Sequence, residues 1–241
     1  MANYKELKEA ISKSKKIVVF TGAGISCPAP TNIPDFRSSN GLYSEKVGNV
    51  SPEEIISHSF FLRNPKEFYD FYWTKMVYKD AKYNKAHKYF ADLERSKDVV
   101  VVTQNIDGLH QTAGSTNVLE LHGRVHRNYC MKCNKFYSLE DLELNGVPMC
   151  KCGGIIKPDV VLYEEPLNEE VVEKAIYEIS KADLMIIVGT SLSVYPAASY
   201  VRFFRGNTLV LINKQKTQYD NIANLVYNDD IIEVINGLER E

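Results

Sequence analysis

The sequence lacks the features that define several specialised classes of protein. No apolar run approaches the roughly 20 residues of a membrane-spanning helix, and residues 1–16 lack the apolar core of a secretory signal. Positive charge is not in excess, and a net charge of −2 supplies no global basic field for nucleic acid or anionic lipid. We therefore expect a cytoplasmic protein that binds neither nucleic acid nor membranes directly. We also expect it to be a monomer.

Cysteine is scarce as well, and its placement is informative. Four of the five cysteines form two close pairs, Cys130-x-x-Cys133 and Cys150-x-Cys152, which in a reducing compartment suit a metal better than disulfides. Two such knuckles can close a tetrahedral thiolate site around zinc, with Zn–S distances of about 2.3 Å. Because four thiolates leave no open coordination position, the predicted zinc is structural. The alternatives are four thiols without metal, or a site in which His126 replaces one thiolate.

Much of the chain alternates buried strands with helices. Short β-branched runs predict strands at residues 16–21, 98–103, 184–190 and 208–213. Amphipathic patterns predict helices at residues 4–13, 84–96 and 168–182. This alternation is typical of an α/β fold in which helices cover both faces of a parallel sheet.

Two stretches do not fit the sheet and predict a second, smaller domain. Residues 51–80 are rich in aromatic side chains with a helical pattern, and residues 125–156 hold the paired cysteines. We therefore assign a helical module to residues 40–83 and a zinc ribbon to residues 125–156. The large domain is then discontinuous and comprises residues 1–39, 84–124 and 157–241.

The segment after the first predicted strand begins like a nucleotide-binding turn but lacks its third glycine. Gly22 and Gly24 follow the strand as in a dinucleotide fingerprint, whereas Cys27 occupies the third glycine position. Gly-x-Gly alone is weak evidence and also fits an ordinary surface turn. Polar residues end two later strands, in GTSLS (189–193) and LINK (211–214). Because open α/β sheets bind ligands at the carboxyl edge, the three strand ends together predict a dinucleotide site.

Candidate catalytic groups follow the second long strand. TQNIDGLH (103–110) places four polar side chains in seven positions, at Gln104, Asn105, Asp107 and His110. An Asx-rich turn that caps a helix would explain any one of them, but not easily the whole set at a ligand-binding edge. His122 lies beyond another apolar run, and an unperturbed pKa of about 6.5 suits a general base. A histidine before glycine is also often structural.

Together these motifs resemble those of the sirtuins, the NAD-dependent protein-lysine deacylases. The similarity covers nearly the whole chain in order: GAGIS (22–26), IPDFR (33–37), TQNIDGLH (103–110), LHG (121–123), the four cysteines, KPDVVLYEE (157–165), GTSLSVYPA (189–197) and LINK (211–214). The resemblance implies a Rossmann-type large domain, a small domain of zinc ribbon and helical module, and NAD extended between them. It also implies that NAD is consumed, with nicotinamide cleaved from the ribose and no hydride transferred.

The resemblance also implies roles for individual residues. The residues expected to bind NAD are Gly22, Ala23, Gly24, Asp35, Phe36, Arg37, Gln104, Asn105, Ile106, Asp107, Gly189, Thr190, Ser191, Asn213 and Lys214. Asn105 and Asp107 would shape the nicotinamide pocket and take part in catalysis. Phe36 would cover the face from which nicotinamide leaves, and Arg37 would steady the loop near the phosphates. His122 would be the general base on the ribose hydroxyls, and the products would be nicotinamide, O-acyl-ADP-ribose and free lysine.

Substrate binding is implied in the same way. KPDVVLYEE would pair with the substrate backbone as an added strand, so Val161, Leu162 and Tyr163 would contact the acyl-lysine segment. Relatives that remove succinyl groups carry Tyr-x-x-Arg in the helical module, whereas this chain has Tyr72 and Lys75 at those positions. A lysine cannot form the two parallel hydrogen bonds that arginine makes with a carboxylate, so we expect removal of acetyl or other neutral acyl groups. Tyr72 would then contact substrate, with simple aromatic packing as the alternative.

Two departures from the family pattern concern the backbone. Six residues, Cys27 to Asn32, separate the serine of GAGIS from Ile33, where the family usually has four residues ending in glycine. Asn32 tolerates a left-handed backbone better than most residues, so we expect the turn to survive while loop closure changes in rate. Glu164 likewise stands where glycine is common.

Two other functions would use many of the same features. The first is protein mono-ADP-ribosyl transfer on the same fold, against which His122, Asn105 and Asp107 together argue. The second is a catalytically impaired module that binds NAD or zinc, if the longer loop prevents turnover. We favour NAD-dependent deacylation.

Overall fold

The computed structural model describes residues 4–36, 41–42 and 50–240, which fold around a six-stranded parallel sheet. Numbered in chain order, its strands are β1 (Lys16–Thr21), β2 (Asp98–Thr103), β3 (Val118–Glu120), β7 (Leu184–Val188), β8 (Thr208–Ile212) and β9 (Leu225–Tyr227). They lie in the order β3-β2-β1-β7-β8-β9, and all neighbours are parallel. The four predicted strands are β1, β2, β7 and β8, so the predicted α/β fold class is confirmed.

Helices cover both faces of this sheet. Along β1, Ile17 and Val19 face one apolar cluster while Val18 and Phe20 face the other, as the strand period of two requires. Helices α1 (Lys5–Lys13), α5 (Lys85–Leu93) and α8 (Ile231–Arg240) build the first cluster. Helix α7 (Glu169–Lys181) and a 3₁₀ helix, Ala197–Phe203, build the second. None of the helices in the described ranges has the length and apolar character needed to span a bilayer.

A smaller assembly of helices and strands packs beside the sheet. It contains helices α2 (Pro52–Ile55), α3 (His58–Arg63) and α4 (Pro65–Lys75). It also contains an antiparallel sheet, ordered β5-β4-β6, of β4 (Gly123–Cys130), β5 (Phe136–Ser138) and β6 (Ile156–Val160). Helix α6 (Leu109–Ala113) follows β2 and contacts α5.

The helical module and the cysteine ribbon share one core. Phe68 and Tyr69 of α4 belong to the same apolar cluster as Val125 and Leu139 of the ribbon. The Tyr69 hydroxyl donates to the backbone carbonyl of Ile156, and the Trp73 indole N–H donates to the Gly146 carbonyl at 2.8 Å. These contacts join the two segments assigned to the small domain. The domain boundaries stay a prediction, and residues 37–40 and 43–49 lie outside the described ranges.

Candidate active site and metal centre

The turn after β1 packs directly on the turn after β7. The Gly24 N–H donates to the Gly189 carbonyl at 2.8 Å, and the Gly22 N–H donates to the Val188 carbonyl at 3.0 Å. A Cβ on Gly24 would lie 2.7 Å from the Gly189 Cα, and one on Gly189 would lie 2.4 Å from the Ile25 nitrogen. The two turns can therefore pack against each other at the carboxyl edge of the sheet only because these positions are glycines. This requirement holds whether or not a ligand also approaches them.

A pocket opens where the turn after β1 and the segment after β2 meet the helical module. It is lined by Ala23, Ser26, Ile33, Pro34, Phe36, Leu42, Lys75, Met76, Tyr78, Asn105, Ile106, Asp107 and Val125. Five of the predicted NAD contacts are among them, because the GAGIS turn and the segment after β2 both end at this edge. The pocket walls are mostly apolar, and Ser26, Asn105 and Asp107 supply a compact polar cluster.

Hydrogen bonds hold this polar cluster together. The Ser26 hydroxyl donates to Asp107 Oδ2 at 2.7 Å, and the Asn105 amide donates to the Ser26 Oγ at 3.2 Å. The Leu109 N–H donates to Asp107 Oδ1 at 2.9 Å. The Asn105 amide also donates to Asp107 Oδ2 at 3.4 Å. Burial raises the pKa of Asp107, although the hydrogen bonds from Leu109, Ser26 and Asn105 to its carboxylate act in the opposite direction. Ser26 was not among the predicted site residues, although it is the last residue of the GAGIS motif.

A backbone hydrogen bond fixes the tautomer of His122. Its Nδ1–H donates to the Gln104 carbonyl at 2.8 Å, so in the neutral ring Nε2 carries the free lone pair. Burial lowers the pKa of His122, while the bond to Gln104 raises it in part. The carbonyl of His122 accepts from the Val161 N–H at 3.0 Å. The ring is thus neutral at physiological pH, and the backbone of His122 is bonded to the predicted substrate segment.

Gln104, which follows β2, is bonded to the ends of β1 and β7. Its backbone N–H donates to the Thr21 carbonyl at 3.0 Å, and its side-chain amide donates to the Thr190 Oγ1 at 3.1 Å. The Thr190 hydroxyl oxygen also accepts from the Leu192 N–H at 3.1 Å. The Gln104 side chain, which is predicted to bind NAD, therefore lies at the same edge as the paired glycine turns.

Ser191 follows β7, and Asn213 and Lys214 follow β8, at this edge but outside the pocket. Ser191 pairs with Ser193 at 2.7 Å between hydroxyl oxygens, and the Asn213 amide donates to a nearby backbone carbonyl. Lys214 forms an exposed ion pair with Asp230 at 2.8 Å, and the bond to that carboxylate raises the pKa of Lys214. Asp35 precedes Phe36 in the described part of the loop, and the prediction for Arg37 lies outside the described residues.

The predicted substrate segment bridges His122 and the helical module. The Tyr163 N–H donates to the Ile56 carbonyl at 3.1 Å, and the His58 N–H donates to the Tyr163 carbonyl at 2.9 Å. Leu162 is buried, whereas Tyr163 is 37% exposed. Glu164 has a φ of +76°, the region where glycine is favoured, which explains why glycine is common at this position.

Tyr72 lies in the aromatic core of the helical module. The side chain is fully buried, and its ring stacks on Phe68 at a centroid distance of 5.6 Å. Its hydroxyl has no hydrogen-bond partner within the described ranges, and burial raises the pKa of Tyr72 well above its usual value. Packing accounts for this residue, and its contact with substrate stays a prediction. Lys75, one turn further along the helix, lines the pocket.

The loop with two extra residues, Cys27 to Asn32, begins and ends at neighbouring positions. The Ile33 N–H donates to the Ser26 carbonyl at 3.0 Å, and the Thr31 hydroxyl donates to the Lys82 carbonyl at 2.6 Å. Asn32 adopts a φ of +53°, which confirms the left-handed turn predicted for it. The additional residues therefore leave Ser26 and Ile33 side by side at the pocket.

The four paired cysteines come together at the end of the ribbon. Their sulfur atoms all lie within 4.8 Å of one another, with Cys130 and Cys152 at 3.4 Å and Cys133 and Cys150 at 3.6 Å. Tetrahedral thiolates around zinc lie roughly 3.8 Å apart, given Zn–S distances of about 2.3 Å. The donor set and its spacing fit a structural Zn²⁺. His126, the alternative ligand, is not part of this cluster.

Fold and site define an α/β protein with a polar pocket at the carboxyl edge of a parallel sheet and a four-thiolate metal centre. The family model described as the Sir2 family matches residues 22–196. An NAD-dependent protein deacetylase of Clostridium perfringens is 57% identical over 95% of this chain and 96% of its own length. An NAD-dependent protein deacetylase of Clostridium tetani is 52% identical over 100% of this chain and 99% of its own length. The chain belongs to the Sir2 family, and the sirtuin resemblance is confirmed.

Solved structures agree with this assignment. A Sir2 complex with deacetylated p53 peptide and 3'-O-acetyl-ADP-ribose superposes with a TM-score of 0.90 at 40% identity, over 99% of this chain and 98% of that one. A Sir2 complex with p53 peptide and NAD⁺ gives a TM-score of 0.84 at 40% identity, with the same coverage.

Proposed function

We propose that this protein removes acetyl groups from lysine side chains of proteins and consumes NAD as a co-substrate. The products are nicotinamide, O-acetyl-ADP-ribose and free lysine. Relatives with over 50% identity are named NAD-dependent protein deacetylases. The observation that carries the proposal in this chain is the His122 ring, whose Nδ1–H is held by Gln104 so that Nε2 is available as a base.

The chemistry needs a base that becomes active after nicotinamide leaves. The acyl-lysine oxygen is a poor nucleophile until a departing cationic ring makes the ribose anomeric carbon electrophilic. The acyl oxygen bonds to this carbon as its bond to nicotinamide breaks. His122 then accepts a proton from a ribose hydroxyl, whose oxygen attacks the acyl carbon. The lysine amine leaves with a proton, and one water molecule supplies the oxygen that completes O-acetyl-ADP-ribose. A neutral histidine suits this step because its Nε2 carries no proton and can accept one from the hydroxyl.

The polar cluster suits the nicotinamide group. A carboxamide presents two N–H donors and one carbonyl acceptor. Asp107 offers carboxylate oxygens to those donors, and the Asn105 amide can serve either group. Phe36 and Ile106 of the same pocket supply apolar surface for the ring. Gly22, Ala23, Gly24, Gln104, Gly189, Thr190, Ser191, Asn213 and Lys214 would contact the rest of NAD, together with Asp35 and Arg37.

The preferred acyl group is neutral in this proposal. Lys75 is the cation of the helical module that lines the pocket, and a single ammonium group does not form the bidentate pair that arginine offers a carboxylate. Val161, Leu162 and Tyr163 would bind the acyl-lysine segment as an added strand. Acetyl-lysine and succinyl-lysine peptides of one sequence would compare the two preferences directly, and faster removal of succinyl groups would contradict this part.

The zinc would have a structural role. Cys130, Cys133, Cys150 and Cys152 would hold it with four thiolates, which would leave no coordination position for substrate. The metal would therefore fix the ribbon and take no part in the reaction. Because these thiols must stay reduced to bind metal, we assign the protein to the cytoplasm, and we propose that it acts as a monomer.

One incubation separates this function from its alternatives. The purified protein is mixed with NAD and an acetyl-lysine peptide, and nicotinamide, deacetylated peptide and O-acetyl-ADP-ribose are quantified. Equal amounts of all three support the proposal. Transfer of labelled ADP-ribose to protein without deacetylation would indicate a mono-ADP-ribosyltransferase, and absence of nicotinamide release would indicate a module that only binds.

A further inference from the structure

The Ser26 hydroxyl has one proton and two acceptors within reach. It donates to Asp107 Oδ2 at 2.7 Å, and its oxygen also lies 3.4 Å from Nε2 of His87. The longer distance is at the outer limit for an O–H···N bond, which fits a state in which the proton points to Asp107. His87 does not line the pocket itself and contacts it through Ser26. It was not among the predicted site residues.

The orientation of the His87 ring is fixed from its other side. Nδ1 lies 2.9 Å from Asn84 Oδ1 and 3.3 Å from the backbone nitrogen of Asn84. The shorter contact is to an amide oxygen, which can only accept, so the tautomer that satisfies it carries the proton on Nδ1 and the lone pair on Nε2. The amide group of Asn84 donates to the Ile25 carbonyl at 2.7 Å, which determines which way the amide is turned. His87 is fully buried, and burial lowers its pKa to about 4, so the ring is neutral. It therefore presents an acceptor to Ser26.

We propose that His87 is a positioning residue for nicotinamide binding, because it accepts the Ser26 proton when the carboxamide of the ligand takes its place on Asp107. This inference rests on the proposed function of the pocket. A ligand N–H that binds Asp107 Oδ2 competes with the Ser26 hydroxyl for the same oxygen. Rotation of the hydroxyl toward His87 removes that competition and leaves no buried group unpaired. The Asn105 amide, which already donates to the Ser26 Oγ, keeps its bond during the rotation.

Two substitutions of His87 test this role with matched chemistry. His87→Gln places an amide oxygen near the position of Nε2, so it keeps an acceptor for Ser26 and loses the contact with Asn84. His87→Asn is shorter, so it keeps a donor for Asn84 and loses the acceptor for Ser26. Each variant removes one hydrogen bond from the same buried site. A merely structural role would therefore affect both variants.

The readout compares ligands that differ by the nicotinamide group. Binding of NAD and of ADP-ribose is measured by calorimetry without peptide, and inhibition of deacetylation is titrated with nicotinamide. We expect His87→Asn to weaken NAD binding and nicotinamide inhibition by roughly fivefold, the effect of one neutral hydrogen bond. ADP-ribose binding should be unchanged, and His87→Gln should be close to wild type for all three.

Three outcomes would overturn the inference. Equal loss of NAD and ADP-ribose affinity in both variants would make His87 a structural residue. Unchanged NAD affinity in His87→Asn would show that Ser26 needs no second acceptor. If His87→Asn does not fold, a large fall in the NAD to ADP-ribose affinity ratio of His87→Gln would contradict the proposal. A wild-type protein that binds ADP-ribose but shows no response to nicotinamide would instead contradict the proposed function.

Discussion

His122 shows how one backbone contact decides what a side chain can do. The Gln104 carbonyl accepts from Nδ1, so the proton-free nitrogen is Nε2, and burial lowers the pKa of the ring. A base works in its deprotonated form, and a lowered pKa extends that form toward acidic pH. The same burial would be harmful to a general acid. The environment of His122 therefore suits proton abstraction.

The pH dependence of deacetylation tests this assignment. We expect kcat/KM to fall as pH decreases through the pKa of His122 and to reach its plateau below the pH expected for an ordinary histidine, whose pKa is about 6.5. His122→Ala should lower the rate by roughly 10²–10⁴-fold and remove this acidic limb. Initial rates with an acetyl-lysine peptide across pH provide the measurement. A near-wild-type rate in the variant would exclude His122 as the base.

Buried neutral histidines should also make the folded state sensitive to acid. Burial lowers the pKa of His87 to about 4 and that of His110 well below its usual value, so between about pH 4 and 6.5 the unfolded chain binds protons that the folded chain does not. Stability is therefore complete above the unfolded pKa and falls as pH decreases, by about 1.4 kcal/mol per pH unit for each histidine. Urea unfolding at several pH values should show a shallower dependence in His87→Gln. An unchanged slope would contradict this account.

The sequence could predict His122, Asn105 and Asp107 as candidates because their residue types perform chemistry and they follow apolar runs. It could not predict the supporting residues. His87 is the third residue of α5, and in the sequence nothing distinguishes it from any other residue in the first turn of a helix. Its side chain contacts Ser26 only because α5 packs on the GAGIS turn. Such a relation depends on tertiary packing over 61 residues of sequence separation.

Among the elements, the loop from Cys27 to Asn32 departs furthest from the family pattern. Its ends are joined by the bond between Ile33 and Ser26, so the added length is accommodated outside the pocket. Asn32 supplies the left-handed residue that glycine supplies elsewhere, with φ at +53°. The conformation of the loop therefore depends more on the left-handed backbone of Asn32 than on contacts of its side chains.

Two substitutions at Asn32 test this dependence. Asn32 is exposed, so a change there alters backbone preference with little effect on packing. Asn32→Gly should preserve stability, whereas Asn32→Val should cost about 1–2 kcal/mol, because a β-branched residue strongly disfavours positive φ. Urea unfolding of both variants measures the difference, and deacetylation by Asn32→Gly should match wild type. Equal stability of the two variants would show that the loop adopts another conformation.

The four central strands of the large sheet could be predicted from the sequence, whereas its two edge strands could not. Strands β1, β2, β7 and β8 are buried on both faces, which gives runs of β-branched residues that are hard to mistake. Strands β3 and β9 contain three residues each, too few to show any period. The aromatic segment divides into separate helices because Ser57 caps the start of α3 and Pro65 begins α4.

In the molecule as a whole, the ribbon and the helical module depend on each other. The metal-binding cysteines pack against Ile156, whose carbonyl accepts from Tyr69 in the aromatic core. The same core includes Val160 and Leu162, which lead into the segment bonded to His122. Loss of order at the cysteines can therefore reach the substrate segment through packing, without any chemical role for the metal.

Removal of zinc tests this connection. We expect a chelator to lower the melting temperature and the deacetylation rate together, and added Zn²⁺ to restore both, because thiolate binding energy is folding energy. Cys133→Ser should reproduce the loss. Cys27→Ser is the matched control, since Cys27 lies outside the four-sulfur cluster, and it should keep its zinc and its activity. The measurements are zinc content, circular dichroism and peptide deacetylation on the same samples. If chelation abolished activity while the melting temperature and near-ultraviolet dichroism stayed at wild-type values, the zinc would have a direct role in the reaction.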